Sequence, residues 1–266
     1  MQLIEVSGKQ GYVWLRQGAW LFRKNPIGFL LLLFIYLFAV NLLMLVAAPI
    51  GVFAILLVNP AIFVGFMSAC RDTVAGKRVG PTSLIAGFRS YGKDAMRGLL
   101  KLGGIYGVLV LVVSGILMTM VDTDTLMAVF SDKPPTTEAI RELYLTMVMG
   151  AVLYIPVAVL FWFAPLLVAW HGVPVGKALF FSWMAVWRNR AAFILYGALV
   201  GILLIAIPLF IDAAFASSDA NNIAPIIATP YRILVMAVLY CSFYATYRGC
   251  FNVTQAAGQT TTDTTA

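Results

Sequence analysis

Long apolar runs dominate the chain, separated by short stretches that are basic or acidic. A helix needs about 20 mostly apolar residues to cross roughly 30 Å of hydrocarbon. Six stretches supply them, at about 27–46, 49–70, 98–120, 143–169, 191–211 and 225–247. The first two abut, because nothing from Ile27 to Ala69 is charged. At about 1.5 Å of rise per residue that run is twice the length of one span, so it must fold back on itself. Ala47, Ala48, Pro49 and Gly51 are the predicted turn, since proline interrupts the helical ladder and small residues let the chain reverse tightly.

A basic, aromatic-bearing segment precedes each odd-numbered span, too polar to cross and too periodic for a plain loop: Gln10 to Asn25, Thr82 to Arg97 and Pro174 to Arg190. In the first, Val13, Trp14, Gln17, Ala19, Trp20 and Leu21 alternate with Arg16, Arg23 and Lys24 at roughly helical spacing. Cations on one face and Trp, Phe and Leu on the other describe a helix lying in the headgroup plane. The words recur: Trp20 to Phe29 (WLFRKNPIGF) resembles Ala185 to Phe193 (AVWRNRAAF), and Gly87 to Tyr91 (GFRSY) is a diverged middle copy. Every even-numbered span holds a proline, Pro60, Pro165, and Pro225 or Pro230. The expected fold is all-α, a polytopic membrane helix bundle. Its six transmembrane helices form three hairpin-like, parallel repeats, each preceded by an interfacial amphipathic helix. Residues 1–250 form a single integral membrane domain in this reading, and 251–266 a disordered cytoplasmic tail. The connection from Asp122 to Glu142 reads as a short ordered cap, with Thr136 or Thr137 as helix N-cap. The first span is expected to be retained, since its apolar run exceeds a signal peptide's 7–15-residue core by roughly a whole turn or more.

Composition agrees. Of 266 residues 62% are hydrophobic and 11% charged, which excludes a water-soluble globule. The net charge of +7 comes from 18 Lys and Arg against 11 Asp and Glu, and its placement gives it meaning. Lys9, Arg16, Arg23, Lys24, Arg71, Lys77, Arg78, Arg89, Lys93, Arg97, Lys101, Lys177, Arg188, Arg190 and Arg248 fall on one side of the predicted spans, against Lys133, Arg141 and Arg232 on the other. Fifteen against three is a positive-inside bias that places both termini in the cytoplasm. No run of five like charges occurs, so nucleic acid is not an expected partner. Cys70, Cys241 and Cys250 form no CxxC pair, and neither a disulfide framework nor a zinc site is expected.

Catalytic patterns are missing. One histidine is present, and HExxH, GxSxG and the phosphate-loop glycine pattern are absent, so no enzyme activity, cofactor or metal is expected. His171 is read as a helix-end residue that complements the macrodipole. Lys101 can snorkel from the inner end of the third span. Arg232 and Asp212 are a candidate intramembrane ion pair, with two placements open: Arg232 within the sixth span, or at the outer interface beside Pro230. Asn41 and Asn59 are expected to act as interhelical hydrogen-bonding groups, and the pairs Gly103/Gly107 and Gly197/Gly201 as close packing within the chain. Arg16, Arg23, Lys24, Arg89, Lys93, Arg97, Arg188 and Arg190, in the basic segments, are the candidate contacts to anionic lipid headgroups.

The word from Gln17 to Pro26 (QGAWLFRKNP), the paired spans after it and the loop Gly80 to Leu84 (GPTSL) resemble a family of bacterial six-span inner-membrane proteins. More distantly the repeat pattern is similar to the membrane domain of some glycerophosphodiester phosphodiesterases. The first resemblance implies location and fold over nearly the whole chain, and no active-site residues. The second implies no activity, since no soluble catalytic domain follows Cys250. Two function classes follow: a non-enzymatic scaffold or envelope-associated protein engaging membrane lipids or other membrane proteins, or a small permease or channel. Phosphatase and fluorescent-protein fusions after residues 130 and 258 should report outside and inside respectively. An inside signal at 130 would sink the topology.

Overall fold

The uncharged run behind the first two spans is helix-forming throughout and breaks once. In the computed structural model, which describes residues 2–122, 136–215 and 223–252, the break falls at Ala47, with φ −147° and ψ 51°. It separates α2 (Pro26–Ala47) from α3 (Ile50–Val74). A side chain at Gly51 would meet the Leu43 carbonyl oxygen at 3.0 Å, a tight contact that the glycine avoids where the chain turns.

The amphipathic segment before this run is α1 (Gln10–Lys24). After α3 come a 3-10 turn (Pro81–Ile85), the single turn α4 (Ala86–Arg89) and α5 (Gly92–Met118). There follow α6 (Thr137–Phe161), α7 (Ala164–His171), α8 (Val175–Arg188), α9 (Arg190–Gly201), a π-helical turn (Ile202–Ala206), α10 (Ile207–Phe215) and α11 (Ile223–Cys250). Among the described residues six helical stretches are long and apolar enough to cross a membrane: α2, α3, α5, α6 with α7 (Thr137–His171), α9 with α10 (Arg190–Ala214), and Ile226–Cys250 of α11. Their outward faces carry Ile27, Leu45, Met147 and Phe210, each about three-quarters exposed or more. Such a surface suits hydrocarbon and would be untenable in water.

Two compact units divide the chain, one of residues 27–186 and one of residues 1–26 with 187–266. In the first, backbones approach at small residues. A side chain at Gly103 of α5 would collide with the Leu57 carbonyl of α3, one at Gly87 of α4 with the Ala61 carbonyl, and one at Gly65 of α3 with Leu84 and Ser83. The joint between α6 and α7 is repaired by α8. A continuous helix would bond the Phe163 N–H to the Val159 carbonyl; instead the buried Ser182 hydroxyl accepts from Phe163 N at 3.0 Å and donates to Val159 O at 2.8 Å. Pro165 then opens α7 without needing an N–H partner.

In the second unit the buried face of α1 (Gly11, Trp14, Gly18, Leu21 and Phe22) packs on α11 and α9. Trp14 is fully buried, its ring 5.1 Å from Phe193 and 6.2 Å from Tyr196, and the bare backbone of Gly249 makes room for its indole nitrogen. Gly18 lies against Ser242, whose hydroxyl is bonded to Tyr196 at 2.5 Å. Two short strands, β1 (Gln2–Leu3) and β2 (Phe251–Asn252), pair antiparallel and draw the described ends of the chain together.

The structure departs from expectation at two places. The segment from Thr82 to Arg97 is not one interfacial helix: Gly92, at φ 84°, breaks it, and Lys93 and Arg97 belong to the first turns of α5. The tail expected from residue 251 begins in a strand, since Phe251 buries its ring and pairs through β2; residues 253–266 lie outside the described residues. Of the two expected caps of α6 the structure uses Thr136, which accepts from Ala139 N at 3.2 Å; most of the expected outer cap (123–135) also falls outside the described residues. Ser182→Ala should strand both groups at the α6–α7 joint and lower stability by about 1–3 kcal/mol. Thermal unfolding in detergent reads the loss; an unchanged midpoint would mean that the joint does not depend on this hydroxyl.

Candidate functional site

The short helices α1 and α8 each bury one face in the protein and leave their cations exposed. Arg16, Arg23 and Lys24 on α1 are exposed, as are Arg89 at the end of α4, Lys93 and Arg97 in the opening turns of α5, Arg188 at the end of α8 and Arg190 at the start of α9. Three are engaged with neighbours close in sequence: Lys24 lies 4.3 Å over the Trp20 ring, Arg190 lies 5.9 Å over Trp187, and Arg97 is 3.5 Å from Asp94. Arg188 pairs with Glu5 across a long sequence separation, its Nε donating to Oε1 at 2.6 Å. Beside it the buried Asn189 accepts from Val6 N at 2.8 Å and donates to Ile4 O at 3.0 Å, fixing the first residues of the chain to the α8–α9 junction.

Asp212 on α10 and Arg232 on α11 come together, Oδ2 to Nη2 at 3.7 Å, with both side chains about half exposed. The neighbouring Tyr231 donates to the Leu203 carbonyl at 2.8 Å, inside the π-helical turn, where widened geometry frees carbonyls. Asn41 donates to the Leu37 carbonyl of its own helix at 2.8 Å. Asn59 accepts from Tyr36 across the α2–α3 hairpin at 3.4 Å. Sequence reading missed a second hydroxyl contact, Tyr106 of α5 to Tyr154 of α6 at 2.8 Å, because no spacing rule joins residues so far apart.

Gly103 and Gly107 face α3, as interhelical packing requires, but the space beyond Gly197 and Gly201 is empty of described atoms within 4 Å. That pair does not serve the intramolecular packing expected of it. His171 closes α7 ahead of Gly172, which adopts φ 62° so that Val173 N can reach the Leu167 carbonyl at 3.2 Å. Among the described residues no three His, Cys, Asp or Glu side chains are grouped to hold a metal, and the three cysteines are buried thiols in no disulfide.

These features define a multi-pass helical membrane protein whose charged groups gather at the ends of its spans. A probable inner membrane protein of Burkholderia thailandensis is 48% identical over 258 residues, covering 95% of each chain, and the present chain belongs to its family of bacterial inner-membrane proteins. No protein-family model matches the chain. No solved structure matches it either. That relative's name speaks of the inner membrane and not of a phosphodiesterase, so the distant resemblance gains no support.

The half-exposed Asp212–Arg232 pair should couple weakly. Thermal stability in detergent of Asp212→Asn, Arg232→Gln and the double variant should give an interaction of about 1 kcal/mol or less. A coupling above about 2 kcal/mol would place the pair in a desolvated setting.

Proposed function

We propose that this protein is a non-enzymatic scaffold or envelope-associated protein of the inner membrane, which engages anionic lipids and other membrane proteins from its cytoplasmic face. The observation that carries the reading is the state of α1: its apolar face is filled by protein while Arg16, Arg23 and Lys24 stay exposed. The helix therefore offers cations, with the exposed Tyr12 and Trp20 beside them, outside the face it buries. The fifteen-to-three distribution of basic residues supports cytoplasmic termini.

The reading includes three copies of one unit. In its favour, Trp14, Gly18, Leu21 and Phe22 in α1 have the same spacing as the buried Ala178, Ser182, Ala185 and Val186 in α8. Each short helix also sets a small residue against an even-numbered span: Gly18 against Ser242, Gly87 against Ala61, Ser182 against Val159. A permease or channel is the second reading. It is favoured by the π-helical turn beside the Asp212–Arg232 pair and by Pro156 and Pro230 inside long helices.

Replacing Arg16, Arg23 and Lys24 together with Gln should reduce the anionic lipid that co-purifies, since each cation near an anionic surface gains about 1 kcal/mol. Lipid content unchanged by mass spectrometry would reduce these residues to determinants of orientation.

A further inference from the structure

Arg71 stands apart from the other cations. It occupies the last turn of α3, where a cation complements the exposed carbonyls of the helix end, but its surroundings exceed what that role requires. Its guanidinium carbon lies 5.0 Å from the centre of the Trp170 ring, at the end of α7, and 5.8 Å from that of Tyr91, at the entry to α5. Nη2 donates to the Tyr91 hydroxyl at 3.0 Å. The Ser68 proton goes to the Val64 carbonyl at 2.7 Å, one helical turn earlier, so the Tyr91 hydroxyl donates to Ser68 Oγ at 2.8 Å. Ser68 is buried, at 2% exposure, so this chain of donors is anchored in the packed interior while the arginine is exposed at its outer end.

The chain fixes one N–H of the guanidinium and two aromatic rings fix its position. A guanidinium carries five N–H donors and stays charged. No carboxylate lies within 4.0 Å of Arg71 among the described residues. Asp72 follows directly and therefore points to another face of the helix. Four oriented donors on a permanent cation, in a fork that matches two oxygens of one phosphate, thus remain for a ligand. Trp and Tyr are the side chains that sit at headgroup depth, and the half-exposed Val74 continues the same helix beside them.

We infer that Arg71, held by Trp170, Tyr91 and Ser68, is a defined seat for the phosphodiester of an anionic phospholipid. Only the class of ligand rests on the lipid-engaging reading above; the seat does not depend on the cations of the short helices. Its position at the end of a membrane-crossing helix favours a lipid over a soluble phosphate ester, because Trp170 and Tyr91 hold the fork at the depth of the headgroups.

Native mass spectrometry of the delipidated full-length protein tests this, by titration with phosphatidylglycerol, with phosphatidylcholine of the same chains and with glycerol 1-phosphate. The wild type should take its first phosphatidylglycerol about tenfold more tightly than phosphatidylcholine, and Arg71→Gln should remove that preference, as loss of a charge-assisted bond would. Arg71→Lys keeps the charge but not the fork or the flat face, and should also lose most of it. Tyr91→Phe, which preserves packing, should weaken the first step about threefold and guards against misreading an unfolded Arg71 variant. Replacement of Arg16, Arg23 and Lys24 by Gln should leave the first step intact while lowering total bound lipid. Should the total not fall, the diffuse lipid reading fails and the seat stands. A first step unchanged in Arg71→Gln or Arg71→Lys would overturn the seat. Equal competition by glycerol 1-phosphate would overturn its assignment to lipid.

Discussion

Lipid offers no hydrophobic reward for bringing two apolar helices together, because the hydrocarbon they leave is as apolar as the partner they meet. What remains is van der Waals contact at close approach and the satisfaction of polar groups that cannot reach water. This constraint explains the distribution of side chains. Large residues such as Leu45 and Met147 face outward, whereas helices meet where Gly103, Gly87, Gly65 and Gly18 strip the surface to backbone. A single added carbon at any of these would strike a neighbouring carbonyl or Cβ, so the packing tolerates little variation in size there.

The same constraint governs the helix breaks. A six-span chain needs reversals and bends, and each one frees backbone groups that must be satisfied inside the protein. At the α6–α7 joint the partner is Ser182, at the π-helical turn it is Tyr231, and at the α8–α9 junction Asn189 holds the first residues of the chain. These polar side chains act on backbone rather than on a ligand. Their presence in the helices is therefore weak evidence for a transport pathway, and Asn41, exposed and bonded to its own helix, belongs with them.

Much of this was legible in sequence because the bilayer imposes a length on every crossing element. The six stretches, the reversal at Ala47 and the helix over Gln10–Lys24 all follow from apolar run length, proline and a helical period. The second basic segment was misread because its cations continue past Tyr91 without a gap, while the element boundary is set by one backbone angle at Gly92. The pairing of Phe251 with Leu3 could not be read either: a two-residue strand has no periodicity, and its partner lies at the other end of the chain. For the same reason the company of Arg71 was invisible. Ser68, Tyr91 and Trp170 share no spacing with it, and only the fold brings three elements to one guanidinium.

The basic residues consequently fall into two groups that composition cannot separate. Arg97, Arg188 and Arg232 each have a carboxylate within 4.0 Å, so an incoming phosphate must displace a partner that already offers charge and two acceptor oxygens. Arg16, Arg23, Arg89 and Lys93 are exposed and form no ion pair among the described residues. Their attraction to an anionic surface is long-ranged and falls with ionic strength over a Debye length of about 8–10 Å. Arg71 differs from both groups, being free of a carboxylate yet fixed in direction. An orienting scaffold lowers the entropy lost on binding and leaves charge and fork geometry intact. In the proposed reading, recognition of one headgroup therefore falls to the fork at the end of α3, and the exposed cations of the short helices contribute only a diffuse attraction.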